Sequence, residues 1–179
     1  MIKLNVGCGW RNFGKGWAHI DGGDYAHLDH KDIYLTDYSD NSVDLIYASH
    51  VIEYFDRKEV CKLLDEWRRV LKPKGLLRLA VPNFTAMSSL YLEGVISLDK
   101  VLGPLYGKME MGDSTIYHRT TYDYDSLAQL LANLGFTGVC RYDWRDTEHA
   151  MHDDHSQAYI PHMDKENGIL ISLNVEAIK

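Results

Sequence analysis

No apolar run in the 179 residues approaches the length that crosses a bilayer, and none has the layout of a signal peptide. Clustered basic charge is missing too. The formal net charge is −7, whereas neutralising a nucleic-acid backbone needs grouped Lys and Arg. The three cysteines, Cys8, Cys61 and Cys140, stand far apart without CxxC spacing, which argues against a disulfide framework and against a cysteine-rich zinc site. There is no internal repeat and no flexible linker. These absences point to one domain, residues 1–179, in a reducing cytoplasm, with no nucleic-acid partner and no membrane insertion. Apolar residues make up 45% of the chain and charged residues 25%, ordinary proportions for a globular protein with a sizeable core.

Strands and helices alternate along the chain. Leu4, Val6 and their neighbours read as a short buried strand, Trp17 to Asp21 as a second, and Val43 to Ala48 ("VDLIYA") as a third. Asp56, with Glu59 three residues on, marks a helix start. Val60, Leu63, Leu64, Trp67, Val70 and Leu71 then follow at helical spacing until Lys72-Pro73-Lys74-Gly75 ends the run. Leu76 to Val81 is a strand stopped by Pro82, Leu127 to Leu134 a helix closed by Gly135, and Phe136 to Tyr142 and Gly168 to Ile178 the last two strands. This order predicts an α/β fold, a mainly parallel sheet covered by helices, whose ligands bind beyond the carboxyl ends of the strands.

The turn Gly7-Cys8-Gly9 after the first strand invites a ligand close to the backbone, although a GxG alone is a weak signal. Asp21, at the end of the second strand, is placed to accept hydrogen bonds from both hydroxyls of a ribose. It follows the turn by twelve residues rather than the roughly 20 of dinucleotide enzymes. Only Trp10 to Gly16 separate the turn from the second strand. Seven residues span roughly 25 Å when nearly extended, enough to return along a strand of about 17 Å. A helical crossover usually takes ten to twelve residues or more. The first helix is therefore expected to be absent, replaced by an extended crossover bent at Gly14 and Gly16. A pyrophosphate needs that helix N-terminus, which disfavours NAD.

"LNVGCG", "HID", "DNSVDLIYASHVIEYF" and "EWRRVLKPKGLLRLAVPNF" resemble the successive motifs of class I S-adenosylmethionine-dependent methyltransferases. More narrowly, the chain resembles a small bacterial group within the type 11 methyltransferases. The resemblance implies a Rossmann-like sheet, mostly parallel with a reversed last strand, and S-adenosyl-L-methionine as cofactor. By family position Gly7, Cys8 and Gly9 pass beneath the methionyl part and Asp21 takes the ribose. Asp37, with Asp32 as the alternative, lies beside the adenine, and Ala48, Ser49 and His50 border the sulfonium. Asn5 stands where the wider family usually has an acid, Trp10-Arg11 where it has a small residue and a third glycine, and Lys74 where it has a glycine.

Methyl transfer asks mainly for in-line placement of an acceptor lone pair, plus a base when the acceptor must lose a proton. His50 is the first candidate for that base and His118 the second. Arg11, two residues past Gly9, carries a planar fork suited to the methionyl carboxylate in place of the missing helix N-terminus. Two insertions are expected on the acceptor side: a lid-like segment, residues 84–121, and a loop, residues 143–167. The acceptor implied is a small molecule or a saccharide, as in polysaccharide biosynthesis. Two other classes compete. His149, His152, Asp153 and His155 have a spacing that suits a metal-binding or metal-dependent hydrolytic protein, and the shortened turn suits a module that binds the cofactor without turnover. The methyltransferase reading itself requires no metal.

Overall fold

The computed structural model describes residues 1–111 and 114–179. In chain order the elements are β1 (Lys3–Val6), β2 (Ala18–Ile20), β3 (Val43–Ser49), α1 (Glu59–Val70), β4 (Leu71–Pro82), α2 (Phe84–Leu92), α3 (Leu98–Tyr106), β5 (Met109–Met111), β6 (Ser114–Ile116), α4 (Tyr124–Asn133), β7 (Thr137–Arg141), β8 (Tyr159–Ile160), β9 (Ile169–Leu170) and β10 (Ser172–Ile178). Six strands form the central sheet in the order β2-β1-β3-β4-β10-β7. The first four run parallel, and β10 is antiparallel to both β4 and β7.

Most local signals act as expected. Asp56 Oδ1 accepts from the Glu59 N–H at 2.8 Å and the Glu59 side chain reaches back to the Asp56 N–H, the reciprocal pattern of a capping box. The expected strand Gly168 to Ile178 is broken. Ile169–Leu170 pairs with Tyr159–Ile160 as a separate hairpin, while β10 starts at Ser172. The break comes at Ile171, whose N–H donates to Ala158 O and whose carbonyl accepts from Asn83 N, so one residue ties the hairpin to the sheet. Lys74 keeps a left-handed φ of +66° at the turn where glycine is usual.

No helix lies between β1 and β2. The chain turns at Gly14 and Gly16, whose φ values of +77° and +99° are open to glycine. The two faces of the sheet are covered differently as a result. On one face Ile46 and Ala48 of β3 join Leu4, Val6, Leu63, Leu64, Trp67, Leu127 and Leu131 in the main core, under α1 and α4. On the other, Leu45 and Tyr47 meet Phe13 and Trp17 of the crossover. Over them lies the 143–167 segment: the His149 ring sits 4.1 Å from that of Tyr47, and Tyr47 OH donates to Asp154 Oδ2 at 2.6 Å.

That placement narrows the expectation for the second insertion, of which His155 and Ala158 reach the cavity at the carboxyl ends of the strands. Most of residues 143–167 cover the sheet face left bare by the missing helix. Some of its polar side chains bind its own backbone, as Gln157 Nε2 does in donating to Ala150 O and His152 O, and others bind the sheet, as Glu148 does Arg78. The first insertion does hold two short helices, α2 and α3, and adds the β5–β6 hairpin.

Candidate cofactor and acceptor site

The glycine turn, the end of β2 and the end of β3 converge on a cavity of about 1080 Å³ at the carboxyl ends of the strands. Its walls are Gly7, Gly9, Trp10 and Arg11 from the turn, Asp21 and Gly22 after β2, Ser49, His50 and Val51 after β3, and Gly103, Pro104 and residues 107–109 and 115–119 from the first insertion. That volume exceeds the need of one drug-sized ligand, which leaves space for an acceptor beside a cofactor.

Close backbone approach explains the first glycine. Gly7 has φ +70°, and a Cβ there would lie 2.1 Å from Val51 Cγ2. Gly7 N and Cys8 N both donate to Ile20 O, at 2.7 and 3.3 Å, which locks the turn against β2. Asp21 ties the turn to the next loop: its Oδ2 accepts from Gly9 N at 2.8 Å and its Oδ1 from Gly23 N at 2.7 Å. Each oxygen keeps an acceptor position for a ligand hydroxyl.

Three of the expected residues stand off the cavity. The Cys8 side chain is buried in the core, its thiol pushed up to about 12 by burial and then by the Asp21 charge. Ala48 belongs to the core under α1. Asp37 is exposed and lines no part of the cavity; Ile33 and Tyr34 reach it from that segment instead. Asp32, the alternative, accepts from Tyr34 N and Thr36 N, so it folds this loop around the cavity. Family position had put Asp37 beside the adenine; the Asp32 turn decides which side chains of this loop face the cavity. Of the 143–167 segment, His155 and Ala158 line the cavity.

Residues 11–79 match the methyltransferase domain family. A solved SAM-dependent methyltransferase from Archaeoglobus fulgidus superposes with a TM-score of 0.61 at 17% identity, covering 99% of this chain and 86% of that one. A second, from Methanosarcina mazei, gives 0.59 at 17% identity over 99% and 92%. The 1,6-didemethyltoxoflavin-N1-methyltransferase of Burkholderia thailandensis, solved with 1,6-didemethyltoxoflavin and S-adenosylhomocysteine, gives 0.57 at 13% identity over 99% and 70%. The chain has the class I methyltransferase fold. No curated protein sequence matches the chain.

His50 closes β3 with a left-handed φ of +55°, a conformation uncommon outside glycine and found where a side chain must be aimed. His50 N donates to Ala80 O at 2.8 Å, and its Nδ1 lies 3.4 Å from Glu53 Oε1. His118 reaches the same carboxyl from the first insertion, Nε2 to Oε1 at 3.9 Å. Glu53 went unremarked in the sequence, although a His with a Glu three residues on, amid "VI" and "YF", was the available signal. The histidines of the second insertion do not converge. His149 and His152 stack on Phe13 at 5.3 and 4.7 Å, while His155 packs on His50 at 4.9 Å. Among the described residues no group of three or more His, Cys, Asp or Glu side chains is arranged to hold a metal ion. Chelation should therefore leave the thermal melting temperature unchanged; a large drop restored by zinc would revive the metal reading.

Proposed function

We propose that the protein is a methyltransferase that moves the methyl group of S-adenosylmethionine, its cofactor, in line onto a proton-bearing nucleophile of a small polar acceptor, a saccharide hydroxyl being the favoured case. The observation that carries this reading is one continuous cavity. It begins at the Asp21 cradle and the glycine turn and passes Ser49 and His50. It ends under the first insertion, where Lys108, Thr115, Tyr117 and His118 offer polar ends. The ribose is assigned to Asp21, the methionyl chain to Gly7 and Gly9, the sulfonium to the Ser49–His50 edge, and the base to His50. The net charge of −7 supports a small acceptor over a nucleic acid. No helix among the described residues is long and apolar enough to cross a membrane. The free thiols Cys8, Cys61 and Cys140 support a cytoplasmic setting.

Arg11 is given the methionyl carboxylate. Its Nε donates to Asp153 O at 3.0 Å and its guanidinium lies 4.9 Å from the Trp10 ring. Arg11 also lines the cavity, and its terminal nitrogens are the donors proposed for the carboxylate. Calorimetry with S-adenosylhomocysteine tests the function, and Arg11→Ala tests the assignment. The substitution should weaken S-adenosylhomocysteine binding about tenfold or more. It should leave 5′-methylthioadenosine, which has no carboxylate, nearly unaffected. Equal effects on both ligands would sink the clamp. Labelled S-adenosylmethionine with acceptor extracts separates an enzyme from a module that only binds.

A further inference from the structure

One buried acid has no part in binding the cofactor. Glu53, on the single turn Ile52–Tyr54, is 0% exposed. Neither of its carboxyl oxygens makes a regular hydrogen bond among the described residues. A carboxyl sequestered this way is costly, and an apolar residue of similar size would fill the space more cheaply. Its surroundings are those of a proton path. His118 Nδ1 lies 3.0 Å from Pro104 O. A carbonyl only accepts, so Nδ1 carries the ring proton and Nε2 turns a lone pair to Glu53. His50 presents Nδ1 to the same oxygen, and its Nε2, on the opposite edge of the ring, is buried without a partner. Tyr54 packs edge-on against His118 at 4.6 Å. Tyr122, two residues before α4, is close enough to feel the Glu53 charge, and Arg119 N and Thr120 N hold the Glu53 backbone carbonyl. Around His50 stand His155 and the Arg11 charge.

We propose that Glu53, reached through the His50 imidazole, is the final resting place of the proton that the methyl acceptor loses. The inference rests on the methyltransferase reading and deepens it. The acceptor oxygen bonds to the methyl carbon as the S–CH3 bond breaks and its electron pair returns to sulfur. The acceptor proton passes to His50 Nε2, and the proton on Nδ1 passes to Glu53 Oε1. The imidazole ends neutral in its other tautomer and the carboxylate ends as a carboxylic acid, so no imidazolium persists in the buried site. Electrostatics favours that outcome. Burial pushes the Glu53 carboxyl up to about 8. Burial, then the charges of His155, His118 and Arg11, holds His50 well below the usual histidine range. Between the two, the proton stays on the carboxyl. Such a relay serves an acceptor whose nucleophile carries a proton at neutral pH, a hydroxyl above all.

Glu53 is thus a positioning residue for His50, and its titration is visible in the His50 ring. When Glu53 is protonated it donates to Nδ1 and the ring proton sits on Nε2; when it is ionised it accepts from Nδ1–H. In 15N-histidine NMR of the protein saturated with S-adenosylhomocysteine, His50 should switch tautomer with a midpoint near pH 8, without becoming doubly protonated down to pH 6. Glu53→Gln should abolish the switch and keep S-adenosylhomocysteine affinity within about twofold. Glu53→Asp, which retains a carboxyl, should restore a switch at a shifted midpoint and covers the case in which the Gln variant fails to fold. A His50 ring that does not change tautomer near pH 8, or changes identically in Glu53→Gln, overturns the relay alone. Absence of S-adenosylhomocysteine binding by the unsubstituted protein overturns the function, and the relay with it.

Discussion

Asp21→Ala should weaken S-adenosylhomocysteine binding by roughly ten- to a hundredfold, the equivalent of about 1.5–3 kcal/mol for losing hydrogen bonds to a charged acceptor. The size of the effect comes from the double duty of one carboxylate. Each oxygen already accepts a backbone N–H, from Gly9 on one side and Gly23 on the other, at 2.8 and 2.7 Å. The alanine variant therefore loses the two acceptor positions offered to the ribose and also the clasp joining the glycine turn to the loop after β2. Asp21→Asn is expected to fail nearly as badly. An amide can satisfy one of the two N–H donors with its oxygen but turns its NH2 toward the other. Calorimetry measures the affinity, and amide hydrogen exchange at Gly9 and Gly23 separates the two contributions. Faster exchange with unchanged affinity would leave Asp21 as a loop clasp and remove it from the ribose site.

The parts that sequence reading reached are those fixed by local rules. A mainly apolar run such as "VDLIYA", the Asp56–Glu59 cap and the Val60-to-Val70 spacing depend on neighbours a few residues away. The missing first helix came from arithmetic on chain length alone, and Asp21 from its place at a strand end. What escaped depends on packing between distant segments. Cys8 and Ala48 sit in the expected stretches, yet which side of a turn or strand faces the cavity is set by the pleat and by what covers each face. The second insertion is the instructive case. A sheet with one helix-covered face and no first helix must find other cover for its second face. Residues 143–167, with Trp144 and Tyr159 buried and His149 on Tyr47, supply it. Sequence spacing placed its histidines near one another; the fold sends His149 and His155 to opposite jobs.

Phe13→Ala should cost about 3–5 kcal/mol of stability, the range for truncating a buried aromatic, and a large share of the roughly 5–15 kcal/mol that holds a domain folded. Phe13 lies in the crossover that replaces the first helix, and it is only 6% exposed. Its ring meets Trp17 edge-on at 5.3 Å and stacks on His152 at 4.7 Å and His149 at 5.3 Å. It also packs against Tyr47 at 5.8 Å, and its N–H donates to His19 Nε2 at 2.8 Å. One side chain thus joins the crossover, the sheet and the 143–167 segment, three pieces with no helix between them. Removing it leaves a hole that the sheet cannot close, so collapse must come from the loop. Hydrogen exchange should accelerate through residues 143–167 while α1 and α4, on the opposite face, stay protected. Phe13→Leu, which keeps most of the volume, should cost about 1.5 kcal/mol or less. Urea denaturation gives both numbers. A loss under about 1 kcal/mol for the alanine variant would show that the crossover is not what holds the second face, and that the 143–167 segment stands on its own hydrogen bonds.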